Sequence, residues 1–207
     1  MMLTISLENI NKKFVREWII RDCNYTFQSG KSYAVTGPNG SGKSSLAQIL
    51  IGYSTPTSGK ITFTNGDSSL AVDEVYRIMS FAAPYMELIE EFTLAEQLDF
   101  HFKLKKSVAG ITVREIPALM QLEKSRNKQI RNFSSGMKQR LKLGLAFFTE
   151  ADLIVLDEPT TNLDESGMNW YLENVQKLKK EKLLVICSNQ EREYTFCDET
   201  VSLMNWK

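Results

Sequence analysis

The sequence predicts an α/β fold: a mostly parallel sheet, an antiparallel β piece on the N-terminal side, and an inserted helical subdomain. Three observations lead there. "KSYAVTG" is a short β-rich run that meets glycine, and "SSLAQILIG" after it carries apolar residues at helical spacing with Gly52 as a stop. "DLIVLDE", a helical stretch near "GMNWYLENVQKLKK", "KLLVICS" and "ETVSLM" alternate strand and helix as parallel α/β sheets do. Between them, from about Ala83 to Phe148, lie the amphipathic stretches "TLAEQLDFHFKL", "TVREIPALMQL" and "SSGMKQRLKLGLAFF", read as a helical subdomain inserted at about residues 84–146.

Taken in order, "LTISLENI" alternates apolar and polar residues with period two and reads as a half-buried strand. The stretch "MMLTISLENINKKF" has the same alternation, so it reads as sheet and not as a secretory leader. "CNYTFQSG" is a second strand ending at a turn glycine, and "PTSGKITFTNGD" places two turn signals around a third. Thr93, Thr112 and Ser134 are the N-caps expected for the three helical stretches, because a side-chain oxygen there can accept a first-turn N–H. The core is expected over about residues 1–83 and 147–207, with the helical insertion over 84–146.

Composition narrows the function classes. The chain has 207 residues, enough for one domain with an insertion. Its 25 basic and 25 acidic residues balance, and the basic ones are scattered, so nucleic-acid binding is not expected. Cys23, Cys187 and Cys197 form no CxxC pair, which points to reduced thiols and the cytoplasm. No apolar run reaches the roughly 18 residues of a membrane helix.

"GPNGSGKS" (Gly37, Pro38, Asn39, Gly40, Ser41, Gly42, Lys43 and Ser44, with Ser45 following) fits the phosphate-binding pattern GxxxxGK[ST] between a strand and a helix. Glycines let backbone N–H groups converge on phosphate oxygens, and the helix that follows points its positive end at the anion. Lys43 would reach the β- and γ-phosphates and the Ser44 hydroxyl would bind Mg²⁺. The core is thus a P-loop NTPase core. "DLIVLDEP" ends an apolar strand in two carboxylates, with Asp157 suited to hold Mg²⁺ and Glu158 to act as general base on water.

With these motifs the chain resembles the ATP-binding subunit of an ABC transporter along essentially its whole length. "NFSSGMKQR" resembles the family signature, Ser134 and Gly136 matching its serine and second glycine, while Phe133, Ser135 and Met137 depart from the commonest residues. The resemblance implies that this segment, Ser134, Ser135 and Gly136, closes over the γ-phosphate held by a second cassette. "TTNLD" resembles the family's D-loop, with Asp164 at its aspartate position, and Phe14 in "INKKF" lies where the family sets a ring against adenine, with Trp18 a second candidate. Two departures stand out: Ala83 occupies the place of a glutamine, and Asn189 the place of a histidine aimed at the γ-phosphate. An amide donates a neutral hydrogen bond but carries no proton or charge. Asn189 as a plain strand-end cap stays open.

The resemblance implies an ATPase using ATP and Mg²⁺ that dimerises around ATP and powers a separate transmembrane subunit from the inner face of the cell membrane. It implies docking of that subunit on "PYMELIEEF", with Tyr85, Met86, Leu88 and Phe92. A soluble non-transport ABC ATPase and a regulatory cassette with little hydrolysis are the alternatives; slow turnover would follow from Ala83 and Asn189.

Overall fold

The computed structural model describes residues 2–178 and 182–207. The chain divides into two compact units, the first formed by Met1–Phe81, Ala151–Glu158 and Leu178–Lys207, the second by Ala82–Glu150 and Pro159–Lys177.

In the first unit β1 (Leu3–Phe14) pairs antiparallel with β2 (Glu17–Gln28) on one side and β4 (Ser58–Asn65) on the other, and β5 (Ser68–Leu70) extends the sheet. The alternation read in the sequence is the pleat itself: Leu3, Ile5 and Leu7 are buried while their neighbours are partly exposed. The second sheet runs β6 (Met79–Ala82), β7 (Leu153–Asp157), β8 (Leu183–Cys187), β3 (Ser32–Thr36), β9 (Glu199–Ser202). Pairing of β3 with both neighbours and of β7 with β8 is parallel. Every residue of β7 and β8 is buried, which is why both read as unbroken apolar runs. Helix α1 (Lys43–Leu50) packs on β7 and β8 through Leu46, Ala47, Ile49 and Leu50. Strand β6 and the 3₁₀ segment Val72–Arg77 before it have no counterpart in the sequence reading. Four residues of strand are too short a run for periodicity to reveal.

The second unit holds α2 (Leu94–Leu104), a short α3 (Ile116–Leu119), α4 (Ser135–Phe147) and α5 (Glu165–Leu178). Thr93 caps α2 in a full capping box with Glu96, and the Ser134 hydroxyl accepts from the Met137 N–H at 3.2 Å to cap α4. Thr112 behaves differently from the expectation. Its N–H donates to the Glu115 carboxylate at 2.8 Å in a turn, and regular helix begins only at Ile116, where Pro117 fits the first turn. Gln121 at φ 59° ends that helix after one turn. Lys179 and Lys180, expected at the end of α5, lie outside the described residues.

Candidate functional site

The phosphate loop joins β3 to α1 in the first unit. Two of its glycines are required by space. A Cβ on Gly37 (φ 150°) would fall 2.6 Å from Ser41 Oγ, and one on Gly42 (φ 100°) 2.5 Å from Ile19 Cγ2. The Ser41 N–H donates to the Pro38 carbonyl at 3.0 Å, which closes the loop. No side chain caps α1 and no acidic residue stands in its first turn, so its N–H groups face the loop ready for an anion. The Lys43 ammonium, 5% exposed as a residue, donates to the Gly37 carbonyl at 2.8 Å and the Pro38 carbonyl at 3.3 Å. The Ser41 hydroxyl is buried beside Gly37 with no hydrogen-bond partner among the described residues.

An open cavity of about 280 Å³ gathers Asn39, Gly40, Gly42, Lys43, Ser44 and Ser45 with Phe14, Ile19 and Glu158. Gly37, Pro38 and Ser41 belong to the loop but not to the cavity wall. Phe14 ends β1 with its ring half exposed and the Lys12 ammonium 5.1 Å from the ring centroid. Trp18 is flanked by Lys13 and Arg21 and is not part of the cavity wall.

Asp157 is the last residue of β7, 1% exposed, and Glu158 follows it at φ 43°. A non-glycine residue in the left-handed region costs about 1–2 kcal/mol, and the Glu158 N–H donating to the Cys187 carbonyl at 2.8 Å helps hold it there. The bend turns the carboxylate out of the sheet and into the cavity. Burial, and then the Asp157 carboxylate, push the Cys187 thiol up, while Lys43 pulls it down. The charges of Asp157 and Lys43 are thus both felt at Cys187 on β8. Asn189 lies exposed just past β8, and its Nδ2 donates to Asn39 Oδ1 at 3.0 Å. The structure thus ties Asn189 to the phosphate loop.

The second unit holds a separate pocket of about 410 Å³ around Ser134, Ser135, Gly136 and Met137, closed by Gln121, Leu122, Arg140 and Asn162–Asp164. Gly136 is helical, and its missing side chain serves a close approach: a Cβ would sit 3.0 Å from the Asn162 carbonyl. Asp164 Oδ1 accepts from the Gly167 N–H at 2.7 Å and lies 3.6 Å from the Arg140 guanidinium. Ala83 is fully buried in this unit, and its carbonyl accepts from the Met86 N–H at 3.2 Å.

Two buried polar residues of α4 escape a reading by motif. Gln139, 2% exposed, donates to the Pro159 carbonyl at 2.7 Å, and Lys142 donates to the Pro84 carbonyl. Their signal is a polar residue on the apolar face of a helix, which spacing alone does not distinguish from a solvated one. Among the described residues no group of three or more His, Cys, Asp or Glu side chains gathers to hold a metal, and no helix is long and apolar enough to cross a membrane.

The sequence pattern of the ABC transporter family matches residues 20–161. The ABC transporter ATP-binding protein YybJ of Bacillus subtilis (strain 168) is 30% identical over 94% of this chain and 89% of its own length. The lantibiotic transport ATP-binding protein SrtF of Streptococcus pyogenes is 30% identical over 89% of this chain and 79% of its own. The chain spans 65% of the Nod factor export ATP-binding protein I of Rhizobium johnstonii, to which it is 27% identical. The fold is shared with an ABC transporter ATP-binding protein from Pyrococcus furiosus (TM-score 0.81, 20% identity, 99% of both chains). A dimeric ATP-binding cassette bound to ADP and phosphate has it too (TM-score 0.81, 22% identity, 96% of this chain and 93% of that one). With a family pattern covering most of its length and a relative 30% identical over nearly all of it, this chain belongs to the ABC transporter family as an ATP-binding, ATP-hydrolysing subunit.

Proposed function

We propose that two cassettes close around ATP, each completing the other's site, and drive a separate transmembrane subunit from the cytoplasmic face of the membrane. The observation that carries this reading is the division of the chemistry. The first unit holds a phosphate cradle, a lysine and the Glu158 carboxylate in one cavity, whereas Ser134 and Gly136 open a second pocket of their own in the other unit. Phe14 stacks on the base, and the loop amides with Lys43 bind the β- and γ-phosphates. Glu158 accepts the proton of the attacking water. Electrostatic stabilisation by the loop and Lys43 supplies most of what phosphoryl transfer requires.

Ser44 and Asp157 are hard oxygen donors, which fits Mg²⁺, an ion that takes one or two protein oxygens and completes its shell with water and phosphate. When bound, Mg²⁺ neutralises the charge that develops on the transferred phosphoryl group. The Asn189 amide offers a neutral hydrogen bond in place of a charged one, so turnover is slow but not absent. The named relatives serve Nod factor export and lantibiotic transport, and the cargo of this chain is set by its membrane partner. The partner docks on the segment from Ala83 to Phe92, where Tyr85 is exposed.

The test is purification of the untagged partner from detergent-solubilised membranes with the tagged cassette, followed by Mg-ATP turnover of the complex with Lys43→Ala as control. A polytopic membrane protein that co-purifies and raises turnover supports the reading. A cassette that hydrolyses ATP at a Lys43-dependent rate yet recruits no membrane protein contradicts its transport half.

A further inference from the structure

The segment that follows Ala83 is held at both ends by one helix. At its start, the Pro84 carbonyl accepts from Lys142, a largely buried residue of α4. Near its end, the Glu90 carboxylate pairs with Lys138, one turn earlier on the same helix. Backbone bonds then fix the segment's exit: the Arg131 N–H donates to the Glu90 carbonyl and the Ile130 N–H to the Phe92 carbonyl, both at 2.9 Å. Burial, and then the neighbouring Lys138 charge, lower the Lys142 pKa. The Lys142 ammonium thus reaches the Pro84 carbonyl from a largely buried position on α4. Ala83 contributes no side-chain hydrogen bond of its own.

We infer that Lys138 and Lys142 strap the Ala83–Phe92 segment to α4, the helix whose N-terminus carries Ser134, so that the segment and the signature serine move as one body. The inference rests on the reading that this segment receives the membrane subunit and that Ser134 engages ATP across the dimer. Under it, a displacement of the segment by the partner reaches Ser134 through two lysines of a rigid helix, with no link through position 83. Both lysines are positioning residues and touch no nucleotide.

Hydrogen exchange on the full-length chain tests this. In a Glu158→Gln background, Mg-ATP should slow exchange over residues 134–140, where the serine closes on nucleotide, and over residues 85–92, which follow through the strap. Adding Lys138→Met and Lys142→Met keeps both aliphatic stems and removes both charges. The slowing over 134–140 should persist and that over 85–92 should be lost. Lys142→Arg should restore it, as should Lys138→Glu paired with Glu90→Lys when Lys142 is intact. A double methionine variant that keeps ATP-dependent slowing over 85–92 overturns the inference. A parent protein with no slowing over 134–140 overturns the shared-site reading and the inference with it.

Discussion

The phosphate-loop cavity and the Ser134 pocket both present backbone N–H groups at the start of a helix, and they do so by opposite means. At α1 the cap is Gly42 in a left-handed conformation with no capping side chain, and Gly37, Gly40 and Gly42 all take positive φ. At α4 the cap is Ser134, whose hydroxyl is already engaged by the Met137 N–H, and Gly136 keeps an ordinary helical backbone. The first arrangement leaves the opening N–H groups of the helix for the ligand and supplies a fixed lysine. The second satisfies itself while alone and must give up or share that bond when an anion arrives. On the proposed function, the first end is the binding site and the second the closing surface.

If that division is right, disabling the first pocket should do the larger damage. Glu158→Gln keeps size and removes the proton acceptor, so steady-state hydrolysis should fall about 10²–10⁴-fold with ATP affinity retained. Turnover and nucleotide titration on the same preparation check this, with Lys43→Ala as the contamination control. An unchanged rate would move the catalytic role away from Glu158.

Asn189 sharpens the comparison, since it supports the binding pocket by tying itself to Asn39. Asn189→His should raise kcat about 5–30-fold, because a charge-assisted hydrogen bond outweighs a neutral one by about 1–2 kcal/mol. Asn189→Ala should lower kcat with KM little changed. Equal kcat values for all three, with folding intact, would leave Asn189 as a strand-end cap.

On the closing side, Gln139 anchors α4 to the Pro159 carbonyl inside the second unit. Gln139→Leu strands that buried acceptor and should lower stability by about 1–3 kcal/mol, read by chemical denaturation. His101 gives the smallest effect. Its Nε2–H donates to Thr149 Oγ at 2.8 Å, and that hydroxyl in turn donates to the Leu145 carbonyl. Burial and then Lys105 lower its pKa to about 4, below the ordinary 6.5. Its contribution is full above pH 6.5 and lost as pH falls through 4. Thermal midpoints measured between those values should decline less steeply in His101→Gln.

How legible was all this in the sequence? The phosphate loop and the Asp157–Glu158 strand end were readable because they are local: their chemistry needs particular residues at fixed spacing. Strands β7 and β8, buried throughout, announce themselves as apolar runs. Strand β6 is too short to show a period, and the helix expected from Thr112 shrinks to one turn because a Thr–Glu pair closes a turn there and Pro117 then sets the start. The contacts of Gln139, Lys142 and Asn189 join residues 20, 58 and 150 positions apart. Only the folded chain brings such pairs together, and nothing in local spacing records them.

The central claim is that one ATP is held by the phosphate loop of one cassette and Ser134 of another. Sedimentation equilibrium of the Glu158→Gln protein, with and without Mg-ATP, tests it most directly when paired with Glu158→Gln/Ser134→Arg. The account predicts a dimer for the first in saturating Mg-ATP and a monomer without it. The second, which keeps the whole binding pocket, should bind ATP with similar affinity and remain monomeric. A double variant that dimerises as readily as the single one, or a single variant that binds ATP tightly and stays a monomer, would contradict it.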